Sequence, residues 1–198
     1  MTRWLDVFLE SPKASLFVRV DNEFISNSFN LFGLKPQIDN FNQALELIKK
    51  GPADSNIDPD IERDAMNLYG LLHARFLLTK NGIRLMLEKY QRNEFQQCPR
   101  VYCKGIRCLP YGVSAKVGSH SVKMFCPNCH DVYNSVDRQH HTIDGAFFGP
   151  SWVHMFMHTC QHLFPKIEQR VYVPKIFGFK IYHPGDSESE SDFEEESY

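Results

Sequence analysis

The sequence predicts an α+β protein with a helical N-terminal domain, then a zinc-ribbon β domain, then an extended C-terminal segment. Up to about residue 92 the apolar residues recur with helical periodicity, whereas from residue 97 short β-forming runs alternate with glycine and proline. Four cysteines in two close pairs lie in this second part. With 198 residues the chain can bury a sizeable core. The predicted boundaries are 1–92 for the helical domain, 93–150 for the ribbon, 151–185 for the C-terminal segment and 186–198 for an acidic tail.

Two helices of the N-terminal domain are defined by their ends. Residues 40–49 place apolar side chains on one face, and Gly51–Pro52 stops this helix. Asp58 is a suitable N-cap for the next helix, because a proline follows at the first helical position and two acidic residues lie in the first turn. We expect Asn81–Gly82 to end this second helix and a shorter amphipathic helix to follow over residues 83–90.

The four cysteines Cys98, Cys103, Cys126 and Cys129 predict one closed zinc site. Zinc prefers four soft ligands in a tetrahedron, and the spacings C-x4-C and C-x2-C let two short turns each supply two thiolates to one ion. A proline directly follows the first cysteine of each pair and restrains the backbone there. Because four thiolates leave no open coordination position, we expect one structural Zn²⁺ per chain.

The alternative for these cysteines is a pair of disulfides in a secreted domain. Six cysteines in 198 residues are too few for a disulfide framework, and the N-terminal apolar run is too short and too acidic for a signal peptide. We therefore expect reduced thiols and an intracellular protein. Cys108 and Cys160 are expected to be ordinary thiols outside the site.

Motifs and composition also bear on catalysis, membranes and nucleic acids. The P-C-x-x-C at the second cysteine pair is half of a zinc deaminase signature, but the H-x-E half does not occur in the sequence, and neither do the kinase motifs G-x-G-x-x-G and H-R-D. No apolar stretch reaches the roughly 18 residues of a membrane span. Outside the acidic tail the charge is only mildly basic, so nucleic-acid binding by the ribbon is the less favoured alternative. Its candidate residues are Lys104, Arg107, Lys116 and Lys123.

Five segments of the chain, in order, resemble the regulatory (beta) subunit of protein kinase casein kinase 2. Each segment is unspecific alone, but together they are specific, and the likeness covers about residues 24–183. The segments are LYGLLHAR at 68–75, MLEKY at 86–90, CPRVYC at 98–103, DGAFFG at 144–149 and VPKIFGFKI at 173–181. The resemblance implies a non-catalytic subunit of nucleus and cytoplasm that stabilises the catalytic (alpha) subunits and modulates their choice of substrate.

The resemblance also implies two binding surfaces. By this resemblance we expect the ribbon to form a homodimer, or a mixed dimer with another beta subunit, and two catalytic subunits to complete a heterotetramer. The implied dimer contacts are Pro99, Val101, Val113 and Val132. The implied anchors for the kinase are Phe177 and Phe179, on either side of a glycine, so residues 151–185 become a kinase-docking segment. A paralogue that dimerises without docking the kinase is the alternative, and without the resemblance the alternating pattern favours an ordinary core strand.

The chain departs from the family pattern at both ends. The serine-rich acidic stretch with which family members typically begin does not open this sequence, and lysines dilute the charge of the loop at 49–60 that corresponds to the acidic loop associated with polyamine binding. In the tail, Ser187, Ser189 and Ser191 each have an acidic residue three positions on, which matches the substrate preference of this kinase. We expect these serines to replace the N-terminal phosphorylation site, with a purely solubilising tail as the alternative. The departures indicate a divergent paralogue.

Overall fold

The computed structural model describes residues 3–53, 56–164 and 173–181, and the chain divides into two compact units, 1–167 and 168–198. The helices are α1 (Trp4–Glu10), α2 (Asn22–Ser26), α3 (Ser28–Leu31), α4 (Phe41–Lys50), α5 (Pro59–Phe76), α6 (Lys80–Gln91) and α7 (Trp152–Thr159). The strands are β1 (Leu109–Tyr111), β2 (Lys123–Phe125) and β3 (Val132–Asn134) in the first unit, with β4 (Lys175–Ile176) and β5 (Phe179–Lys180) in the second. Short 3₁₀ turns lie at Pro12–Ala14, Lys35–Gln37, Val101–Cys103, Arg138–Thr142, Gly145–Phe147 and Gln161–Leu163.

This mixture of helices and small sheets agrees with the predicted class, whereas the division into domains stays a prediction. In the parts of the chain that the structure describes, none of the helices combines the length and the apolar character needed to cross a bilayer.

The predicted end of the first of these helices and the predicted beginning of the second are confirmed. α4 ends one residue before Gly51. α5 begins with a proline, and the carboxylate of Asp58 accepts a hydrogen bond of 2.9 Å from the backbone N–H of Asp60. Such a cap stabilises a helix by about 1 kcal/mol. α4 packs against α5 through a buried face that consists of Phe41, Ala44, Leu47 and Ile48.

The predicted helix end at Asn81–Gly82 is wrong. α5 ends at Phe76, and both residues lie in the first turn of α6. The N-cap of α6 is Thr79, whose Oγ1 accepts a hydrogen bond of 3.1 Å from the N–H of Gly82. A Cβ at Gly82 would lie 2.2 Å from the carbonyl oxygen of Phe76, because α6 starts close against the end of α5. This glycine therefore permits a close approach of two helices and does not end either of them.

α5 holds the extended segment before α2 through two buried polar side chains. The hydroxyl of Tyr69 donates to the carbonyl of Val18 at 3.1 Å and accepts from the N–H of Val20 at 3.0 Å. Nε2 of His73 accepts from the N–H of Val18 at 3.2 Å, and its Nδ1 donates to the carbonyl of Phe147 at 2.8 Å. Buried polar groups need hydrogen-bond partners, and both ring nitrogens of His73 have one. Through these two bonds His73 connects the N-terminal segment, α5 and the turn that contains Phe147.

The same turn explains the glycine in the middle of α5. The ring of Phe147 packs on Gly70, where a Cβ would lie 2.2 Å from the nearest ring atom. A glycine inside a helix costs about 1 kcal/mol relative to alanine, so the position needs a reason of this kind. The segments LYGLLHAR and DGAFFG are therefore two halves of one packing contact.

The stability of the protein is expected to decrease between pH 6.5 and about 4 because of His73. Burial lowers the pKa of this side chain from 6.5 to about 4, since the charged imidazolium is disfavoured in the core. In that pH range the unfolded chain binds more protons at this residue than the folded chain, so the free energy of unfolding falls as the pH falls. The pKa difference corresponds to about 3 kcal/mol at pH 4.

Urea unfolding at a series of pH values measures this effect. A His73→Asn variant should be less stable at pH 7 but should lose less stability on acidification than the wild type. Other acid-sensitive groups act on both proteins alike, so the difference between the two curves isolates His73. Parallel curves would contradict the assignment.

The three-stranded sheet of the first unit is antiparallel in the order β1-β2-β3. Its register places Leu109 opposite Phe125, and Phe125 opposite Val132. α7 packs against β1, and the fully buried Trp152 donates from its indole N–H to the carbonyl of Pro110 at 2.8 Å. A single apolar core therefore extends from the helices into the sheet. α7 lies within residues 151–185, the segment predicted to dock the kinase. Its buried residues Trp152, Val153 and Phe156 instead belong to this core.

The second unit contains a two-stranded antiparallel hairpin. Ile176 lies opposite Phe179, and the backbone N–H of Ile181 donates to the carbonyl of Pro174 at 3.1 Å. The two turn residues between the strands are Phe177 and Gly178, with φ of 49° and 87°. Two consecutive positive φ values are typical of a type I′ turn, which matches the twist of a two-residue hairpin.

Candidate metal centre

Two loops carry the four cysteines that were predicted to bind zinc. The loop 98–103 ends in a 3₁₀ turn, and the loop 126–129 follows β2 directly. Each loop is followed by a residue in the left-handed region, Lys104 with φ of 50° and His130 with φ of 59°. These conformations turn the chain sharply, so that both cysteines of each loop face the same point.

The four predicted ligands are brought together. The sulfurs of Cys98, Cys103, Cys126 and Cys129 all lie within 4.8 Å of one another. Two of the separations are 3.9 Å, between Cys98 and Cys129, and 3.8 Å, between Cys103 and Cys126. A tetrahedral zinc with four sulfurs at about 2.3 Å requires sulfur separations of about 3.8 Å. The cluster therefore fits one metal ion, and the dimensions are consistent with zinc.

The surroundings of the sulfurs shift the pKa values of the cysteine thiols in different directions. Burial raises the pKa of Cys98 to about 12. The hydrogen bond with Cys108, and then burial, raise the pKa of Cys126. Burial also acts to raise the pKa of Cys129, but the hydroxyl of Tyr133, 3.2 Å from its sulfur, contributes to a net lowering. Four thiolates at this spacing repel one another, so a divalent cation bound by them would allow all four to ionise, and its binding would release protons.

Two polar side chains that the sequence analysis did not single out contact the sulfurs. Nδ2 of Asn128 donates to Sγ of Cys103 at 3.2 Å, and the hydroxyl of Tyr133 lies beside Cys129. Donors of this kind orient metal ligands and adjust their charge. Their sequence positions carried a signal, because Asn128 lies inside the second cysteine pair and Tyr133 lies four residues after Cys129.

Cys108 lies beside the cluster, although the sequence analysis treated it as an ordinary thiol outside the site. Cys108 directly precedes Leu109 and Cys126 directly follows Phe125, and these two neighbours are paired across β1 and β2. Cys108 is not one of the four sulfurs that converge. Only the strand register reveals this neighbour, because nothing in the local sequence links residue 108 to residue 126.

The four residues implied as dimer contacts are on the protein surface. Val101 has 86% of its surface exposed, and Pro99, Val113 and Val132 are also exposed. Val136, on the same module, is exposed as well and was not singled out. Exposed apolar side chains on so small a module are available for contact with another chain.

The two implied kinase anchors are exposed on their hairpin. Phe177 is 97% exposed and Phe179 80%. An ordinary core strand, which the alternating pattern alone favoured, would bury at least one of its faces. The candidate phosphorylation sites Ser187, Ser189 and Ser191 lie outside the described residues.

Two of the four basic residues proposed for nucleic-acid binding are engaged within the protein. The guanidinium of Arg107 donates to the carbonyl of Phe95 at 3.0 Å, and the ammonium of Lys123 donates to Oδ1 of Asn134 at 2.8 Å. The two others, Lys104 and Lys116, are exposed. So small a set of free cations gives little phosphate affinity.

Fold and site together define a class of protein: a mixed helix and small-sheet protein with four clustered cysteines that could hold one metal ion. A family model described as "Casein kinase II regulatory subunit" matches residues 3–180. The casein kinase II subunit beta of Schizosaccharomyces pombe is 42% identical over 183 residues, which cover 90% of this chain and 79% of that protein. The subunit beta' of Drosophila melanogaster is 41% identical over 185 residues, 91% of this chain and 84% of that one.

A plant relative, casein kinase II subunit beta-3 of Arabidopsis thaliana, is 40% identical over 189 residues, which cover 92% of this chain and 68% of that protein. The chain therefore belongs to the casein kinase II regulatory subunit family. This is a family of regulatory subunits and not of enzymes, which agrees with the resemblance that the five sequence segments indicated.

Proposed function

We propose that this chain is a non-catalytic regulatory subunit of casein kinase II that dimerises through its cysteine module and docks catalytic subunits. In this role it stabilises the catalytic subunit and changes its choice of substrate. The observation that carries the proposal is family membership over residues 3–180, a range that includes both the cysteine cluster and the aromatic hairpin.

The metal in this proposal is one structural zinc ion per chain, held by the four clustered cysteines. A full set of four thiolates leaves no position for a substrate, so the ion's contribution is to hold two loops together. Elemental analysis of the purified protein should find about one zinc per chain. A protein that folds fully without zinc would contradict this assignment.

The proposed dimer is supported by the exposed apolar residues of the cysteine module, which are Pro99, Val101, Val113 and Val132. Replacing Val101 by glutamate is expected to raise the dimer dissociation constant about a hundredfold or more, because a buried unpaired charge at an interface costs about 3 kcal/mol or more. Sedimentation equilibrium measures this constant. Val136→Glu is the matched control, since Val136 is 80% exposed on the same module but outside the proposed contact. Equal dissociation constants for the two variants would contradict the proposed surface.

Kinase regulation is tested by adding the purified protein to a catalytic casein kinase II subunit. A ligand present at a hundred times its dissociation constant stabilises its partner by about 2.7 kcal/mol, so the unfolding temperature of the catalytic subunit should rise. The ratio of phosphorylation rates for two peptide substrates should also change. A catalytic subunit whose stability and substrate ratio both stay the same would favour a paralogue that dimerises without docking.

The serines of the acidic tail are proposed as phosphorylation sites of the assembled kinase. Each has an acidic residue three positions on, and the tail holds no basic residue. Incubating the complex with labelled ATP should put phosphate on Ser187, Ser189 or Ser191, and a variant with alanine at all three should take up correspondingly less. If mass spectrometry maps phosphate only to residues outside these three serines, the tail is a solubilising segment and not a phosphorylation site.

A further inference from the structure

A cavity of about 360 Å³ lies between α5 and the segment that leads into α7. Ligand sites have volumes of about 300 to 1,000 Å³, so this cavity suits a small ligand. Such sites combine an apolar wall with a few polar groups that orient the ligand. Much of the wall here consists of buried apolar side chains, namely Leu34, Leu71, Phe148 and Trp152.

Arg75 is the one charged residue on the described wall of this cavity. Its Nη1 donates to the carbonyls of Asn30 and Phe32 at 2.6 and 2.9 Å, which orients the guanidinium at the end of α3. Among the described residues, the Nε and Nη2 edge has no hydrogen-bond partner and no carboxylate pairs with it. Burial also lowers the pKa of this guanidinium, because no nearby anion offsets the loss of water.

The unpaired edge of Arg75 has the geometry that binds carboxylates. The Nε and Nη2 groups of an arginine donate two parallel hydrogen bonds, which match the two oxygens of one carboxylate. A partly buried cation without an anion is unfavourable, so a ligand with one negative charge is favoured here. A phosphate monoester also matches this fork, but it carries about two negative charges, whereas the cavity offers one cation and a mainly apolar wall.

A second polar group on the cavity can contact the same ligand. Ser151 lies on the wall at the start of α7, and its hydroxyl does not cap that helix. A hydroxyl in this position can donate to a carboxylate oxygen. The wall therefore carries one cation and an additional donor beside a buried apolar surface.

We propose that this cavity binds a small amphipathic carboxylate, whose two oxygens pair with the Nε and Nη2 edge of Arg75. The apolar body of the ligand lies against the buried wall that includes Trp152. The residues of the cavity do not include the four clustered cysteines or the hairpin aromatics, so this inference depends on neither the metal nor kinase docking.

Isothermal titration of the full-length protein with octanoate tests the proposal, and octan-1-ol is the matched neutral compound. Because charge-assisted hydrogen bonds favour the acid, octanoate should bind about tenfold to a hundredfold more tightly than octanol. Labelling with 5-fluorotryptophan locates the ligand, since Trp152 lines the cavity and the other tryptophan, Trp4, does not. The fluorine resonance of Trp152 should shift during the titration, and that of Trp4 should not.

Variants separate the charged part of the site from the apolar part. Arg75→Gln should lower the affinity for octanoate to that for octanol, and the resonance of Trp152 in the free variant shows whether the cavity is intact. Arg75→Lys keeps the charge without the fork and should bind octanoate about tenfold more weakly. Ala74→Leu adds volume on the wall of the cavity and should weaken the binding of both compounds. Arg63→Gln, which changes an exposed arginine of α5, is the matched control and should bind as the wild type.

Three results would overturn the proposal. The first is equal affinity of the wild type for octanoate and octanol. The second is an affinity for octanoate that both Arg75 variants leave unchanged, or a shift of the Trp4 resonance alone. The third is inorganic phosphate that shifts the Trp152 resonance as strongly as octanoate does, because the site would then bind anions in general.

Discussion

Replacing Cys126 by alanine is expected to unfold the cysteine module. A structural zinc site contributes about 10 to 16 kcal/mol of apparent binding free energy, which equals or exceeds the whole stability of an ordinary domain, about 5 to 15 kcal/mol. The module has little else to replace this contribution, because each of its three strands spans three residues. Removing one ligand also leaves three clustered thiols that repel one another when ionised.

Hydrogen exchange followed by mass spectrometry measures this unfolding locally. Peptides from β1, β2 and β3 should lose protection in Cys126→Ala, whereas peptides from the α4 and α5 pair should keep most of theirs. Chelation of zinc from the wild type should give the same pattern, and Cys160→Ala should not. Full protection of the strands in the ligand variant would mean that the metal is not structural.

Replacing both Phe177 and Phe179 by alanine is expected to abolish measurable docking of the catalytic subunit. Buried aromatic anchors contribute about 2 to 4 kcal/mol each at protein interfaces, so the dissociation constant should rise by about a thousandfold for the pair. The two rings are 97% and 80% exposed on the hairpin, so their removal creates no cavity there. Isothermal titration of the catalytic subunit with each variant gives the constants.

A matched control is available elsewhere in the chain. Phe29 and Phe32 are each 82% exposed, so the double change to alanine at these positions removes a similar amount of aromatic surface from a different place. This variant should bind the catalytic subunit as the wild type does. An equal loss of affinity in both double variants would contradict a specific role for the hairpin.

The hairpin carries two local features that oppose its own stability. Phe177 occupies the left-handed region with φ of 49°, which costs a residue with a side chain about 1 kcal/mol. Lys175 lies directly opposite Lys180, and like charges at such a pair repel. Both features raise the free energy of the hairpin when it is alone. We therefore expect that a bound partner stabilises this conformation and that docking depends on this turn.

Sequence alone predicted the features that depend on neighbours along the chain. The end of α4 follows from Gly51, and the beginning of α5 follows from Asp58 and the proline after it. The cysteine spacings determine which four residues converge. Each of these signals acts over a few residues, so no knowledge of the tertiary structure is needed.

The features that sequence did not predict depend on how helices, strands and loops pack against one another. Gly82 was interpreted as a helix end because Asn-Gly often ends a helix, whereas here the glycine lets the start of α6 approach the end of α5 at Phe76. The connection made by His73 to Val18 and Phe147 joins three segments that are far apart in the sequence. The neighbourhood of Cys108 likewise needs the register of two strands.

The central claim, that this chain is a regulatory subunit that docks the catalytic subunit, is tested most directly by light scattering during size-exclusion chromatography of the zinc-loaded protein mixed with that subunit. The account predicts a single species whose mass equals two copies of each chain, and its reduction to a bare dimer of this protein in the Phe177→Ala/Phe179→Ala variant. Separate peaks of a dimer and an unbound catalytic subunit for the wild-type protein would contradict it.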